Sequence, residues 1–389
     1  MTRCRRGGAR CGILSSMDTL THALSGALLA RAICVRPAAP APAVLAGSVP
    51  GRFTAPWDGR AGAVVPWQAV VVGTLAAAFP DLDFIVGWAG EMAYLRHHRG
   101  ATHSLLLAPL WAWLLAWLMS RWFATTRAQP GGWKSLYVIA LASIVIHIAG
   151  DWITQFGTMM LSPVSDARFG LGAMFIIDLV FTGLLVAGLV LAAVFPRRRW
   201  PAVAALVAVS GWVVLAWDAR HDAIDLGREY AQRQGIEVRS IEVMPRPASP
   251  FNWTVAVFDG ERYHVADLNT RRTEPLVVQP GDSFVRRLSA PYQPASMATW
   301  RVLPKFGDGA PDWVRDVWQH DAMATFRWFA AAPVLVQTID RGDERCAVFG
   351  DLRFAFPGRE QAPFRYGLCL NGSGPATLVT LDGDTLRPV

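Results

Sequence analysis

The chain has 389 residues, 52% of them hydrophobic and only 17% charged, with a net charge of +7. About a quarter of a soluble domain is usually charged, so a wholly soluble protein of ordinary composition is excluded. The basic excess is spread as Arg in short loops, without a long Lys/Arg tract or aromatic–basic interleaving, which excludes a nucleic-acid partner and fits anchoring at a membrane.

Residues 1–16, MTRCRRGGARCGILSS, are basic and small. They read as a disordered extension or a start assigned too early, with Met17 as the true start. A secretory signal is disfavoured, because the apolar stretch that follows carries Thr21, His22 and Ser25 and lacks a clean cleavage site. Six apolar segments follow, at about 20–35, 66–88, 104–124, 136–156, 173–195 and 200–217. A span needs about 20 mainly apolar residues, so the first and last are marginal. Arg36, Arg52 and Arg60 lie between the first two segments, Arg121, Arg127 and Lys134 between the third and fourth, and Arg197, Arg198 and Arg199 between the last two. The positive-inside rule places those loops in the cytoplasm. The other loops, and everything after Trp217, then face the periplasm of a multi-pass inner-membrane protein.

Beyond Trp217 the charges return. Residues 218–245 read as a helical connector and 246–389 as a β-rich outer domain. WTVAVFDGERYHVADL is a hairpin signal, with Asp259-Gly260 between alternating runs. VLVQTIDRGDERCAVFGDLRF and YGLCLNGSGPATLVTL read likewise, and PDWVRDVWQHDAMATFRWFA is one amphipathic helix. His264 and His320 are packing or surface residues. Cys346 and Cys369 fall on neighbouring strands, where a periplasmic domain permits a disulfide. Cys4, Cys11 and Cys34 show no partner. The fold class is an α-helical polytopic membrane domain of about six transmembrane helices (17–217), followed by a small β-rich (α+β) extramembrane domain.

The polar residues of the membrane half carry the chemistry. His22 opens the first segment; Asp81 and Asp83 follow Pro80 near the end of the second; HHRGATHS holds His97, His98, Arg99 and His103; His147 and Asp151 sit in the fourth, and Asp178 in the fifth. Ionisable groups are costly at membrane depth and mark sites there. The topology rests on Arg and Lys alone, yet all of these residues fall on its outer side. His147 and Asp151 are four apart and share a helix face. Mixed His and Asp donors suit Zn, Mn or Fe, in one or two divalent ions, Zn foremost. The expected ligands are His22, Asp81, His98, His103, His147 and Asp151, with His97 a spare. Asp83 or Asp178 would be general base and Arg99 would bind an anion. Ser104 reads better as a helix cap than as a nucleophile.

The ordered set MDTLTHALSGALLARA, FPDLDFI, HHRGATHS, HIAGDWITQFGTMMLSPVS and IIDLVF resembles the YdjM-type family of bacterial inner-membrane, metal-dependent hydrolases. The resemblance covers roughly residues 17–195. It implies membrane-bound hydrolysis, and one group of that family is linked to the LexA regulon. By motif it carries over His22, Asp81, Asp83, His98, Arg99, Thr102, His103, His147, Asp151 and Asp178. The expected function is hydrolysis of an amphiphilic ester or phosphoester, such as a lipid, at the periplasmic face of the bilayer. The alternative is a non-enzymatic metal-binding membrane protein for transport, sensing or scaffolding.

Overall fold

The computed structural model describes residues 8–34, 64–128, 131–341, 344–359, 361–372 and 374–389. The expectations for residues 1–7, Cys4, Arg36, Arg52 and Arg60 lie outside the described residues, and the first described helix begins at Gly8.

The membrane half begins with α1 (Gly8–Ile33) and α2 (Pro66–Ala78). These two pack through glycine on glycine. A Cβ on Gly26 would lie 2.2 Å from the Gly73 carbonyl oxygen, and one on Gly73 2.4 Å from that of Gly26. Small residues are what let helix backbones approach so closely in a membrane. Pro80 ends α2, and a 3-10 helix, Pro80–Ala89, continues it. Then come α3 (Glu91–His97), a 3-10 turn at Ala101–His103, α4 (Ala108–Trp122), α5 (Ala124–Arg127), α6 (Trp133–Trp152), α7 (Leu179–Val194) and α8 (Trp200–Gln234). The core between α2, α4 and α6 is alanine-rich: Ala69, Ala76, Ala112, Ala116 and Ala140 are fully buried beside Val72, Leu136 and Ile144. Trp113, Trp117, Val190, Val207 and Val214 are exposed, as lipid-facing residues are.

By length and composition, three helical stretches among the described residues can cross a bilayer: Pro66–Ala89, α6 and α8. The pair Glu91–His103 and Ala108–Trp122, bent by 74°, adds a fourth if it is one span. At 16 residues α7 rises about 24 Å, short of a hydrocarbon core of about 30 Å. The sequence expectation of six regular spans differs from this in the first segment, whose helix α1 is not among these stretches, in the third, which is broken at the HHRGATHS turn, and in the fifth, which becomes helical only at Leu179. The last span and the connector are one helix: α8 runs 35 residues and stops at Gly235, in the left-handed conformation that favours glycine.

The outer domain has two antiparallel-rich sheets. The first holds β1 (Ser240–Pro245), β2 (Asn252–Phe258) and β3 (Arg262–Asn269), with β4 (Gln293–Pro294) and β5 (Arg301–Pro304) both on β3; α9 (Phe284–Ser289) lies in the long β3–β4 connection. The β2–β3 hairpin turns at Asp259, whose carboxylate accepts the N–H groups of Glu261 and Arg262, with Gly260 at φ 112°. Alternation sorts its residues. Val243, Trp253, Val255 and Leu268 pack on Ala219 and Ala223 of α8, whereas Met244, Ala256, Tyr263 and Val265 meet Ala332 and Leu352.

The expected single helix at 311–330 is two, α10 (Asp312–Gln319) and α11 (Ala324–Phe329). They are divided at His320, whose ring accepts the Ala322 N–H; the break turns Val314, Val317, Phe326 and Phe329 all inward. The second sheet is the meander β6 (Pro333–Arg341), β7 (Glu344–Asp351), β8 (Tyr366–Asn371), β9 (Thr377–Asp382) and β10 (Thr385–Pro388). Cys346 and Cys369 are directly paired across β7 and β8 and joined by a disulfide. Arg246 fastens the two sheets: fully buried, it donates to the carbonyls of Leu352, Arg353 and Ala355 and to Thr254 Oγ1. Burial pulls its pKa down to about 10.

Candidate metal centre

Four pieces of backbone converge. α6 presents His147 and Asp151 one turn apart on its buried face. α1 brings His22 against them, its ring tilted 32° to that of His147 at 3.8 Å between centroids. Gly150 makes room, since a Cβ there would stand 2.8 Å from His22 Cε1. The 3-10 helix after Pro80 supplies Asp81, and the turn Ala101–His103 supplies His103.

The donor atoms meet closely. His103 Nε2 lies 3.0 Å from His147 Nε2 and 2.9 Å from Asp151 Oδ2. His147 Nε2 is 3.4 Å from Asp151 Oδ2 and 3.7 Å from Asp81 Oδ1. His22 Nε2 is 3.2 Å from Asp151 Oδ1. Two triads form, His22–His147–Asp151 and Asp81–His103–His147, sharing His147. Donors about 2.0–2.1 Å from a tetrahedral zinc stand about 3.3 Å apart, and these separations bracket that value.

The far side of each ring explains the near side. His147 Nδ1 donates to the Ala77 carbonyl at 2.6 Å. A carbonyl only accepts, so the neutral ring carries its proton on Nδ1 and turns a bare lone pair inward. His103 Nδ1 faces Thr102 Oγ1 at 3.0 Å and Asp83 Oδ2 at 3.3 Å, so a proton on Nδ1 has an acceptor and Nε2 can be offered to a cation. The two Nε2 atoms face each other at 3.0 Å in a fully buried place, both turned toward Asp151 Oδ2. The donor set fits a divalent ion, with outward N–H groups held by a carbonyl and a carboxylate as in metal-ligating histidines generally.

Asp81 and Asp83 do different things, because residues two apart on a 3-10 helix point different ways. Asp81 turns to the imidazoles, and its Oδ2 is buried without a hydrogen-bond partner among the described residues. Asp83 turns away. It engages His98 Nδ1 at 2.7 Å, the Arg99 N–H at 2.8 Å, Thr102 Oγ1 at 3.2 Å and His103 Nδ1. This ties down the turn, where Arg99 holds φ 60°.

The expected ligand His98 instead stacks on Tyr94, 4.5 Å between centroids, and bonds Asp83; it belongs to neither triad. His97 is exposed. Arg99, expected to bind an anion, pairs with Asp151 Oδ1 at 2.8 Å and reaches Thr154 Oγ1. Asp178 caps α7, accepting the Phe181 N–H at 2.8 Å and Trp212 Nε1–H at 3.2 Å, and is in neither triad. Ser104 caps the start of the following turn, accepting the N–H of Leu106 and Leu107.

Residues that sequence reasoning missed join the site to the outer domain. The Phe156 ring stacks under Arg99, 4.9 Å from its guanidinium carbon, and packs edge-on against Phe329 and Phe364. Arg353 donates to the Gln155 carbonyl, and Gln155 Nε2 to that of Arg353. Arg168 donates to the Gly157 carbonyl and stacks on Phe156 and Trp328; burial, then Arg353 and Arg99, pull its pKa down to about 9, still above neutrality.

A helical membrane half with buried His and Asp donors at one end, under a β-rich cap, defines a membrane protein with a candidate metal centre. The chain belongs to the YdjM inner membrane protein family, whose model matches residues 17–223. It is also similar to the "Uncharacterized protein YfhP" of Bacillus subtilis (strain 168), 26% identical over 106 residues, which is 27% of this chain and 31% of that protein. The match thus spans under a third of that relative's length. No solved structure matches.

Proposed function

We propose that this protein is a membrane-embedded, metal-dependent hydrolase acting on an amphiphilic ester or phosphoester, such as a lipid. The convergence of His103 and His147 Nε2 with donors of Asp81, Asp151 and His22 carries the reading. These five residues would hold a divalent ion. When bound, it lowers the pKa of a water and polarises a carbonyl or phosphoryl oxygen. Asp83 orients His103; Arg99 fixes Asp151. The Asp81 side chain is 13% exposed against 0–5% for His22, His103, His147 and Asp151, so water and substrate would enter beside it. Its unbonded oxygen is the best-placed proton acceptor, in preference to the engaged Asp83 and the capping Asp178.

The reading extends to topology: about six spans, with the site and the outer domain on the periplasmic face. The Arg-bearing loops support this, as does the Cys346–Cys369 disulfide, a bond characteristic of oxidising compartments.

One observation favours the non-enzymatic alternative. Five donors exceed the four of a closed structural site, while catalytic sites keep a position open. Metal analysis of the purified protein, run beside hydrolysis of phospholipid and phosphomonoester panels, separates the two. We expect bound metal at about one ion per chain and turnover that is lost in His103→Ala and Asp151→Ala together with the metal. Metal without turnover on any panel would favour transport, sensing or scaffolding. Undiminished metal in both variants would remove the centre altogether.

A further inference from the structure

The long β3–β4 connection, residues 270–292, is not used by the metal centre. It exposes four apolar side chains: Val277 at 67%, Val278 at 44%, Phe284 at 65% and Val285 at 38%. Arg271, Arg286 and Arg287 are exposed beside them, and residues 270–289 hold four arginines against two acids. Such a mixture is unfavourable in open water and suits the boundary between headgroups and acyl chains.

The loop's position follows from the register of α8 on the first sheet. No charge occurs on α8 from Trp200 to Trp217, and Asp218 begins its polar part. Ala219 and Ala223, just past that point, pack with Phe251, Trp253 and Leu268. Gly227 faces Val255 and Ile241, and Tyr230 reaches His264. The sheet therefore runs along the helix with the end of β3 nearest the apolar stretch and the Asp259 turn farthest from it. Arg271 clamps that near end, 3.1 Å from both Asp218 and Asp222. The loop also returns there, since β4 pairs with Leu268 and Asn269. Both ends of 270–292 are thus held at the height where α8 leaves the bilayer.

We propose that this loop is a membrane-interface anchor: Val277, Val278, Phe284 and Val285 enter the outer acyl region while Arg286 and Arg287 meet headgroup phosphates. The occupant of the exposed face is phospholipid, continuous with the lipid around α8. The anchor would fix the tilt of the outer domain against the bilayer, independently of what the metal centre does.

The test uses the full chain in phosphatidylethanolamine–phosphatidylglycerol vesicles, with Cys4, Cys11 and Cys34 replaced by Ser. A single cysteine is placed by Phe284→Cys or Val278→Cys, or by Glu261→Cys at the far turn, and carries an environment-sensitive fluorophore. The expected result is blue-shifted emission at 284 and 278, cut by about half by lipids bearing a shallow nitroxide, and water-like, unquenched emission at 261. Water-like emission at both 284 and 278 would overturn the proposal. So would a blue shift that lipid nitroxide fails to quench, because that means burial against protein, such as a second copy.

Discussion

The histidines and aspartates of the centre divide by what lies behind them. His147 is backed by a carbonyl and His103 by Asp83, and both turn Nε2 toward the centre. Removing such a backing group typically lowers metal affinity about 10–100-fold. Asp83→Asn is therefore expected to weaken metal binding by that factor in a competition titration with a chelating dye, with the protein still in the membrane; unchanged affinity would reject Asp83 as an orienting group. Arg99→Ala tests the other support. It leaves Asp151 buried without its closest cation, and breaking a buried pair costs about 3–5 kcal/mol. The apo protein should lose thermal stability by that order, and added metal should restore part of it, as a ligand bound only to the folded state does. The cluster was legible in the sequence because ionisable side chains are costly in apolar segments unless they gather around a partner or an ion. The division of labour was not. His98 and His103, or Asp81 and Asp83, are equivalent as letters, and only the 3-10 geometry after Pro80 separates them.

At the scale of elements, helix contacts set where the donors meet. His22 is one helical turn from Gly26, and α1 comes close to α2 only because Gly26 and Gly73 have no side chains. Gly73→Ala places a methyl 2.4 Å from a backbone oxygen that cannot move aside, and overpacking of this kind costs about 1–3 kcal/mol. A Cβ at Gly183 on α7 meets nothing within 4 Å, so Gly183→Ala is the control. Thermal unfolding in detergent should fall clearly for Gly73→Ala, with weaker metal binding as His22 shifts, and stay level or rise slightly for Gly183→Ala. Equal behaviour of the two would mean the glycine contact does not position α1. Periodicity and turn residues made α2, α6 and the Asp259 hairpin readable. The breaks at Ala101–His103 and His320 were not, because local propensity there is overruled by side-chain acceptors that take up backbone N–H groups, Asp83 at the first and the His320 ring at the second. Nor was the continuity of α8 through residue 217, since polarity changes at that point while helix-forming character does not.

In the whole molecule, the contacts of Gln155 and Phe156 with Arg353, Phe329 and Phe364 seat the C-terminal domain against the segment that follows Asp151 of the centre. These partners lie up to 208 residues apart in the chain, and no sequence period links them. One orientation therefore decides the environment of both. The Arg-bearing loops argue for the periplasm, and the cysteine pair offers an independent check. Closing a loop of a few tens of residues stabilises by roughly 3 kcal/mol, largely through the unfolded chain; the separation here is 23 residues. In membranes isolated under alkylating conditions, Cys346 and Cys369 should resist thiol labelling after denaturation until a reductant is added. A reporter fused after Val389 that is active only in the periplasm should be active in the same strain. A silent periplasmic reporter with both thiols free would put the outer domain, and the centre it covers, in the cytoplasm. An active reporter with both thiols free would keep the orientation and remove only the bridge. Because α8 carries the domain directly from the bilayer, the two readouts test one structural fact, the side on which Gln234 emerges.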